Sequence, residues 1–241
     1  MRAAGTELWD LKDDEKGTRI EMLFRDRSDA GRRLADRLVE RQLREPVILA
    51  LTRGGVPVAA PIAEALECPV VPYVARKIGA PGHPEFGIGA VAEGAEDILV
   101  SPSASRLGLS EDDVTALARE EQQEITRQVD TFRDGHPLPD IAGREVVVVD
   151  DGLATGVTAE AALRTVKRKE PRRLILAVPV CASDTASRIA ELVDEVVCLT
   201  SSESFGSVGQ WYDRFEQTSD DEVRRIVGAG SSDGGGSSSR S

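Results

Sequence analysis

Two adjacent carboxylates followed by a run of small, hydroxyl-bearing residues give this chain its clearest chemistry. They lie in Val146-Val147-Val148-Val149-Asp150-Asp151-Gly152-Leu153-Ala154-Thr155-Gly156-Val157-Thr158. Four consecutive valines suit a strand buried on both faces. In an open parallel sheet, ligands sit outside the carboxyl ends of the strands, so Asp150 and Asp151 are expected at the rim. The segment Ala154-Thr155-Gly156-Val157-Thr158 can wrap a phosphate with consecutive backbone N–H groups and two hydroxyls, helped by the N-terminus of the following helix. The Asp pair repels that phosphate and suits hydroxyls or a metal instead. Phosphate on the loop and a diol on the carboxylates together describe a ribose 5-phosphate. A strand ending in Asp-Asp also occurs where the pair only binds magnesium or caps a helix. The Thr-Gly-Val-Thr continuation at a fixed offset makes the combination more specific.

Other residues could serve a charged ligand. Leu51-Thr52-Arg53-Gly54-Gly55 closes the apolar run Val47–Leu51 and precedes a helix. Its two glycines let a backbone approach a ligand closely, and Arg53 supplies positive charge. Taken alone, Arg-Gly-Gly more often marks a turn with a solvated Arg. Arg76-Lys77 follows the apolar run Val70–Ala75. Of the 30 basic residues 25 are Arg, the lysines being Lys12, Lys16, Lys77, Lys167 and Lys169, so Lys77 at a strand end reads as a ligand contact. The stretch from Gly79 to Gly94 is rich in Gly and Pro and holds His83 and Glu85, either of which could carry a proton, although a loop His is usually just solvated. His136, between Gly135 and Pro137, reads as structural or solvated. Between Ser204 and Phe215, the residues Phe205, Trp211, Tyr212 and Phe215 are four of the nine aromatics, with Asp213 among them. A planar ligand could stack there and hydrogen-bond to Asp213. Packing of these rings onto the sheet is the competing reading.

In these residues the chain resembles the type I phosphoribosyltransferases, whose signature is four apolar residues, two acids and a small-residue Thr-Gly loop. Every position from Val146 to Thr158 fits it. The resemblance covers about residues 22–227. With Phe24-Arg25-Asp26-Arg27 and Gly209-Gln210-Trp211-Tyr212-Asp213, it resembles a prokaryotic group whose substrates are poorly defined. It implies transfer of the phosphoribosyl group from phosphoribosyl pyrophosphate (PRPP) to a nitrogen nucleophile, usually a nucleobase, with release of pyrophosphate. It also implies Mg2+, held mainly through PRPP and by Asp150 and Asp151. By the same correspondence Asp150 and Asp151 hold the ribose hydroxyls, and Ala154, Thr155, Gly156, Val157 and Thr158 cradle the 5-phosphate. Thr52, Arg53, Gly54, Gly55, Arg76 and Lys77 meet the pyrophosphate, with Lys77 counted beside the two acids as catalytic. The Gly79–Gly94 stretch takes the place of a mobile catalytic loop. A hood at about residues 200–218 recognises the acceptor through Phe205, Trp211, Tyr212 and Asp213. The oxopurine members carry a Lys where this chain has Ala177-Val178-Pro179-Val180, which speaks against purine salvage. A homodimer is implied by the family alone. The same fold and loop would also serve a non-catalytic PRPP or nucleotide sensor; Arg76-Lys77 and the Gly-rich stretch favour the enzyme.

These residues need a scaffold of alternating strands and helices. Apolar periodicity predicts helices over Asp29–Leu43, Val56–Leu66, Ser110–Phe132, Thr158–Lys169 and Ser183–Leu192. Strands are expected at Val47–Leu51, Val70–Ala75, Ile88–Ala92, Val146–Val149, Leu174–Val180 and Val196–Leu199. Ser110 with Asp113 is a variant capping box. The fold class is α/β, a doubly wound parallel sheet with a small C-terminal hood. Residues 1–20 form a variable segment with Trp9 its only large anchor, 21–227 the domain, and 228–241 a Gly/Ser tail expected to be disordered.

Composition limits the partners. The chain has 241 residues, 42 Asp and Glu against 30 Lys and Arg, and a net charge of −12. A nucleic acid would be repelled, whereas a small phosphorylated ligand needs only a local nest of amides. Few lysines and many carboxylates fit solubility in a high-salt cytoplasm; an ordinary acidic cytosolic protein is the alternative. No apolar stretch approaches the roughly 18 residues of a membrane span. Cys68, Cys181 and Cys198 show neither metal-ligand spacing nor a disulfide framework. A cytoplasmic protein with buried free thiols is expected.

Overall fold

Alternate residues of the central strands face opposite cores, which is why those strands are apolar without interruption. Val47, Leu49 and Leu51 enter one core while Ile48 and Ala50 enter the other. Val146 and Val148 join the first, Val147 and Val149 the second. None of the nine is more than 5 % exposed. Burying each Val, Leu or Ile in this way stabilises the fold by about 1.5–3 kcal/mol.

The computed structural model describes residues 24–231. In chain order the elements are α1 (Arg27–Val39), β1 (Val47–Leu51), α2 (Gly55–Ala65), β2 (Val70–Tyr73), β3 (Ala75–Ala80), β4 (His83–Ala92), β5 (Leu99–Val100), α3 (Pro102–Arg106), α4 (Glu111–Arg133), β6 (Glu145–Val149), α5 (Val157–Lys167), β7 (Arg173–Ala182), α6 (Ser183–Ala190), β8 (Glu195–Ser202) and α7 (Asp220–Ser231). A parallel sheet of order β2-β1-β6-β7-β8 forms the centre. Leu34 and Leu38 of α1, Val58 and Ile62 of α2 and Val223 of α7 cover one face. Ala162, Leu163 and Val166 of α5 and Ile189 of α6 cover the other. This is the doubly wound α/β fold expected from the alternation of elements.

The differences have local causes. Helix α1 starts two residues early because Asp26 caps it, accepting from the Asp29 N–H at 2.8 Å. It stops at Val39 rather than Leu43, and the chain turns through Gln42 and Glu45 in the left-handed region. The Ser110–Asp113 capping box of α4 is present in both directions. The expected strand Val70–Ala75 is split: Val70–Tyr73 stays in the parallel sheet, and Ala75 begins a separate antiparallel sheet of order β3-β4-β5. Arg76 and Lys77 therefore lie within β3, paired to Val91 and Ala90, rather than at the end of a parallel strand. The Gly79–Gly94 stretch is mostly hairpin, not an irregular loop. Ile78, Ile88, Val114 and Ala118 pack this small sheet on α4. Helix α7 was not anticipated, and it runs past residue 227 into the first Gly and Ser residues of the tail. Trp9 and residues 232–241 lie outside the described residues. Cys181 on β7 and Cys198 on β8 are free thiols whose sulfurs approach to 2.6 Å, a neighbourhood their sequence separation hides.

Candidate functional site

Strands β1 and β6 are neighbours, but their chains leave for opposite sides of the sheet, toward β2 and β7. Such a switch point leaves a crevice at the carboxyl ends of the strands. Thr52-Arg53-Gly54 and Asp150-Asp151 meet in it. A Cβ placed on Gly54 would stand 2.1 Å from Asp151 Oδ2, and one on Gly55 would stand 2.4 Å from the Val149 carbonyl oxygen. The glycines thus let the two loops touch. The peptide between Thr52 and Arg53 is cis.

Asp150 and Asp151 stand at the expected rim. Asp151 donates its backbone N–H to Asp150 Oδ1 at 2.9 Å. Burial raises the pKa of Asp150 well above the ordinary value, and the charge of Asp151 adds to the effect. Burial also raises Asp151, against the opposing pull of Arg27. Arg27 was not singled out as a site residue in the sequence, yet its Nε donates to Asp151 Oδ2 at 2.8 Å with both side chains mostly buried. Its guanidinium lies 3.8 Å from the centroid of the Phe215 ring, and Nη1 donates to the Glu216 carbonyl at 2.7 Å. Tyr212 adds a bond from its hydroxyl to the Asp151 carbonyl at 2.6 Å.

Removing one partner of a largely buried ion pair strands the other charge. Arg27→Gln is therefore expected to lower unfolding stability by about 2–3 kcal/mol, less than the fully buried limit because both groups keep some solvent. In an Asp151→Asn background the same change should cost markedly less, and equal losses in the two backgrounds would show that the pair is not coupled.

The phosphate-loop candidates lie at the start of α5. Gly156 is left-handed at φ 69°, and a Cβ there would meet Thr185 Cγ2 at 2.5 Å. The loop's carbonyls are tied back to α6: Thr185 Oγ1 donates to Ala154 at 2.7 Å, and Arg188 Nη2 donates to Thr155 at 2.6 Å. With the carbonyls turned away and the first-turn N–H groups lacking intrahelical acceptors, the loop presents donors. Leu153 is stitched to β7 through its own N–H and carbonyl, at 2.8 Å in each direction.

Four of the six pyrophosphate candidates, Thr52, Arg53, Gly54 and Arg76, border a cavity of about 420 Å³ together with Asp151 and Arg27, with Val208, Phe215 and Thr218 on the hood side; Gly55 and Lys77 do not line it. Arg53 and Arg76 are not bare charges. Arg53 Nη1 pairs with Asp220 at 3.1 Å and Arg76 Nε with Glu121 at 2.8 Å. Gln128, 3 % exposed on α4, also faces the cavity and accepts from Thr52 Oγ1 at 2.9 Å. Lys77 lies across Gly87 in the hairpin. His83 is exposed at the start of β4, beside a separate pocket with Phe86 and Leu107. His136 is exposed, with Nδ1 2.8 Å from the Arg133 carbonyl oxygen.

The hood rings pack mainly on each other. Phe205 stacks on Trp211 at 5.9 Å, Tyr212 on Phe215 at 4.9 Å, and Tyr212 lies 5.5 Å from Phe24. Trp211 and Tyr212 are buried, and Asp213 points to the exposed surface while its N–H bonds the Phe24 carbonyl at 2.8 Å. Of the hood, the cavity is lined by Val208, Phe215, Gln217 and Thr218 rather than by Phe205, Trp211, Tyr212 or Asp213.

Comparison with known proteins agrees with this fold. A protein of Thermus thermophilus, TT1426, is 38 % identical and superposes with a TM-score of 0.71 over 86 % of this chain and 98 % of its own. Proteins from two strains of Mycobacterium tuberculosis, with provisional phosphoribosyl transferase names, are 42 % identical over 201 residues, or 83 % of this chain. This chain spans only 45 % of their length. The family model for the phosphoribosyl transferase domain matches residues 21–214. With its doubly wound sheet and the acids and loop at the switch point, the chain belongs to the phosphoribosyl transferase domain family and has the type I fold.

Proposed function

We propose that the protein transfers the phosphoribosyl group of PRPP to a nitrogen nucleophile, a nucleobase by the family's habit, and releases pyrophosphate. The observation that carries this reading is the meeting of three parts at one switch point: the Asp150-Asp151 pair, the donor loop Ala154–Thr158, and the Thr52–Gly55 loop with Arg76. Asp150 and Asp151 accept hydrogen bonds from the ribose diol and face the positive charge that grows on the sugar as the bond from C1 to pyrophosphate breaks. Arg53, Arg76 and Lys77 bind the departing pyrophosphate, and the hood excludes water while the acceptor attacks. Positioning and fixed charge supply most of the rate.

Among the described residues no group of three or more His, Cys, Asp and Glu could hold a metal ion. Magnesium enters the proposal as a companion of PRPP, with Asp150 and Asp151 the acids that would meet it directly or through water. When bound there it neutralises pyrophosphate and improves it as a leaving group. The acceptor is placed on the Val208–Phe215–Thr218 side of the cavity, so the recognition first assigned to Trp211 and Tyr212 becomes support from behind. A homodimer remains part of the proposal.

The test is pyrophosphate release from PRPP with magnesium against a panel of purines, pyrimidines and small amines. Run at low salt and at about 2 M salt, it also tests whether the carboxylate-rich surface serves a saline cytoplasm. Release with one acceptor supports transfer, and binding of PRPP without release across the panel supports the sensor reading. No helix among the described residues is long and apolar enough to cross a membrane.

The acid pair gives a pH signature. A ribose diol donates hydrogen bonds and so favours ionised carboxylates, whereas the unliganded site favours their protonated forms. Binding then releases protons, and affinity climbs as pH rises through the raised titration, above the usual carboxylate value of 3.8. Ribose 5-phosphate, measured against inorganic phosphate to cancel the phosphate's own titration, should gain affinity over that window. Parallel curves for the two ligands would argue against contact between the diol and the pair.

A further inference from the structure

The loop after β1 is held by a closed circuit of side chains. Thr52 Oγ1 donates to Gln128 Oε1 at 2.9 Å, and Gln128 Nε2 donates to Glu124 Oε1 at 2.9 Å. Arg127 grips both oxygens of Glu124 at 2.7 Å and turns Nη1 and Nη2 toward Asp220 Oδ2, each at 3.2 Å. Asp220 Oδ1 accepts from Arg53 Nη1 at 3.1 Å, and Arg53 is the next residue after Thr52, so the circuit closes. Three separate parts of the chain contribute: the switch-point loop, α4 and the first residue of α7.

Two arginines balance two carboxylates, so the circuit is neutral and holds its members without an unpaired charge. Gln128 is almost fully buried, and its two bonds replace those that water would make. The hydrogen bond from Arg127 brings the pKa of Glu124 down to about 2, so that link stays ionised across the working range. A guanidinium carries five N–H donors, and Asp220 engages only one nitrogen of Arg53. The side chain is thereby fixed at one end while it borders the cavity with Thr52, Arg76 and Asp151.

We propose that Asp220 is a positioning residue, which through Arg53 pre-arranges the pyrophosphate contacts of the site. The inference rests on the PRPP reading above. Fixing a long cationic side chain before the ligand arrives removes part of the ordering cost of binding. If Asp220 instead only competed with the ligand for Arg53, its removal would tighten binding, so the two roles differ in sign.

The experiment is calorimetric titration of inorganic pyrophosphate and of ribose 5-phosphate into the full chain with magnesium, for wild type, Asp220→Asn, Asp220→Glu, Arg127→Ala and the double variant Asp220→Asn, Arg127→Ala. Asp220→Asn should weaken pyrophosphate about tenfold, a change of about 1.4 kcal/mol. Ribose 5-phosphate, which uses the Asp pair and the Ala154–Thr158 loop, should bind as in wild type. Asp220→Glu should recover part of the loss. Arg127→Ala, an outer member of the circuit, should weaken pyrophosphate by about threefold and add little to Asp220→Asn, since both act through Arg53. With PRPP and an acceptor, KM for PRPP should rise while kcat changes less than about twofold. Unchanged or tighter pyrophosphate binding in Asp220→Asn and in Arg127→Ala, with ribose 5-phosphate still bound, would overturn the positioning role alone. A wild-type chain that binds neither ligand would overturn the PRPP reading and this inference with it.

Discussion

Replacing Asp150 and Asp151 together by Asn is expected to lower turnover by at least about 10³-fold, the scale of losing fixed transition-state stabilisation from a closed site. Asn keeps the size of each side chain but removes the charge that faces the sugar as pyrophosphate leaves. The fold should survive, because removing the buried Asp150 charge offsets part of the loss from leaving Arg27 without its Asp151 partner. Asp150→Asn alone should in fact be more stable than wild type near neutral pH. The sign follows from the titration. The native pKa of Asp150 is raised, chiefly by burial, so the native state holds its proton to a higher pH than the unfolded chain does. Stability therefore falls as pH rises from the usual carboxylate value through the raised one, and above it the full penalty is present. Asn carries no such penalty, so thermal unfolding near pH 7 should shift upward, and the gain should vanish in acid where both states are protonated. Turnover within tenfold of wild type in the double variant would remove these acids from the chemistry.

Gly55→Ala should produce the largest loss of stability. Its Cβ would stand 2.4 Å from the Val149 carbonyl oxygen and 3.1 Å from Asp150 Cα, backbone atoms of the adjacent strand rather than the end of a flexible side chain. Relief requires the start of α2 to move away from the end of β6 at the switch point. Overpacking of this kind costs about 3 kcal/mol. For a chain of this size that lowers the melting temperature by roughly 6–12 °C. Activity should fall as well, because the displaced backbone carries Asp150. Gly228→Ala is the matched control: its Cβ meets nothing within 4 Å, and it lies in α7. That change should be neutral or stabilising by up to about 1 kcal/mol. Similar melting temperatures for the two variants would show that close approach of α2 to the end of β6 is not what requires Gly55.

The parts of this molecule written in local pattern were legible in the sequence. Val146 to Val149 feed both cores, Asp150-Asp151 follow at the rim, and Gly156 makes the left-handed turn into α5. The Thr52–Gly55 loop lies beside them because β1 and β6 pair. Long-range electrostatic contacts left no such trace. Arg27 and Asp151 are 124 residues apart, and Arg53 and Asp220 are 167 apart, so no periodicity links them. The Asp26 cap of α1 was the available hint that Arg27 begins a helix with a fixed direction. The β3–β4 hairpin was misread because Gly79, Gly82, Gly87 and Gly89 resemble a loop. Gly79 and Gly89 are instead required by close backbone neighbours, their Cβ positions lying 2.6 Å from the carbonyl oxygens of Pro84 and Leu99. The positive site expected from Arg53 and Arg76 holds carboxylates as well, supplied by α4 and α7. Aromatic density suggested a stacking platform in the hood, but ring count alone does not show that Trp211 and Tyr212 are spent on packing.

Calorimetric titration of PRPP with magnesium, into the full chain and into the Asp150→Asn, Asp151→Asn variant, tests most directly whether the acid pair and its neighbouring loops form a PRPP site. The expected result is saturable binding at one site per chain in wild type and affinity at least about 100-fold weaker in the variant, a loss of about 2.7 kcal/mol. Equal affinity in the two proteins, or no binding to wild type, would contradict it.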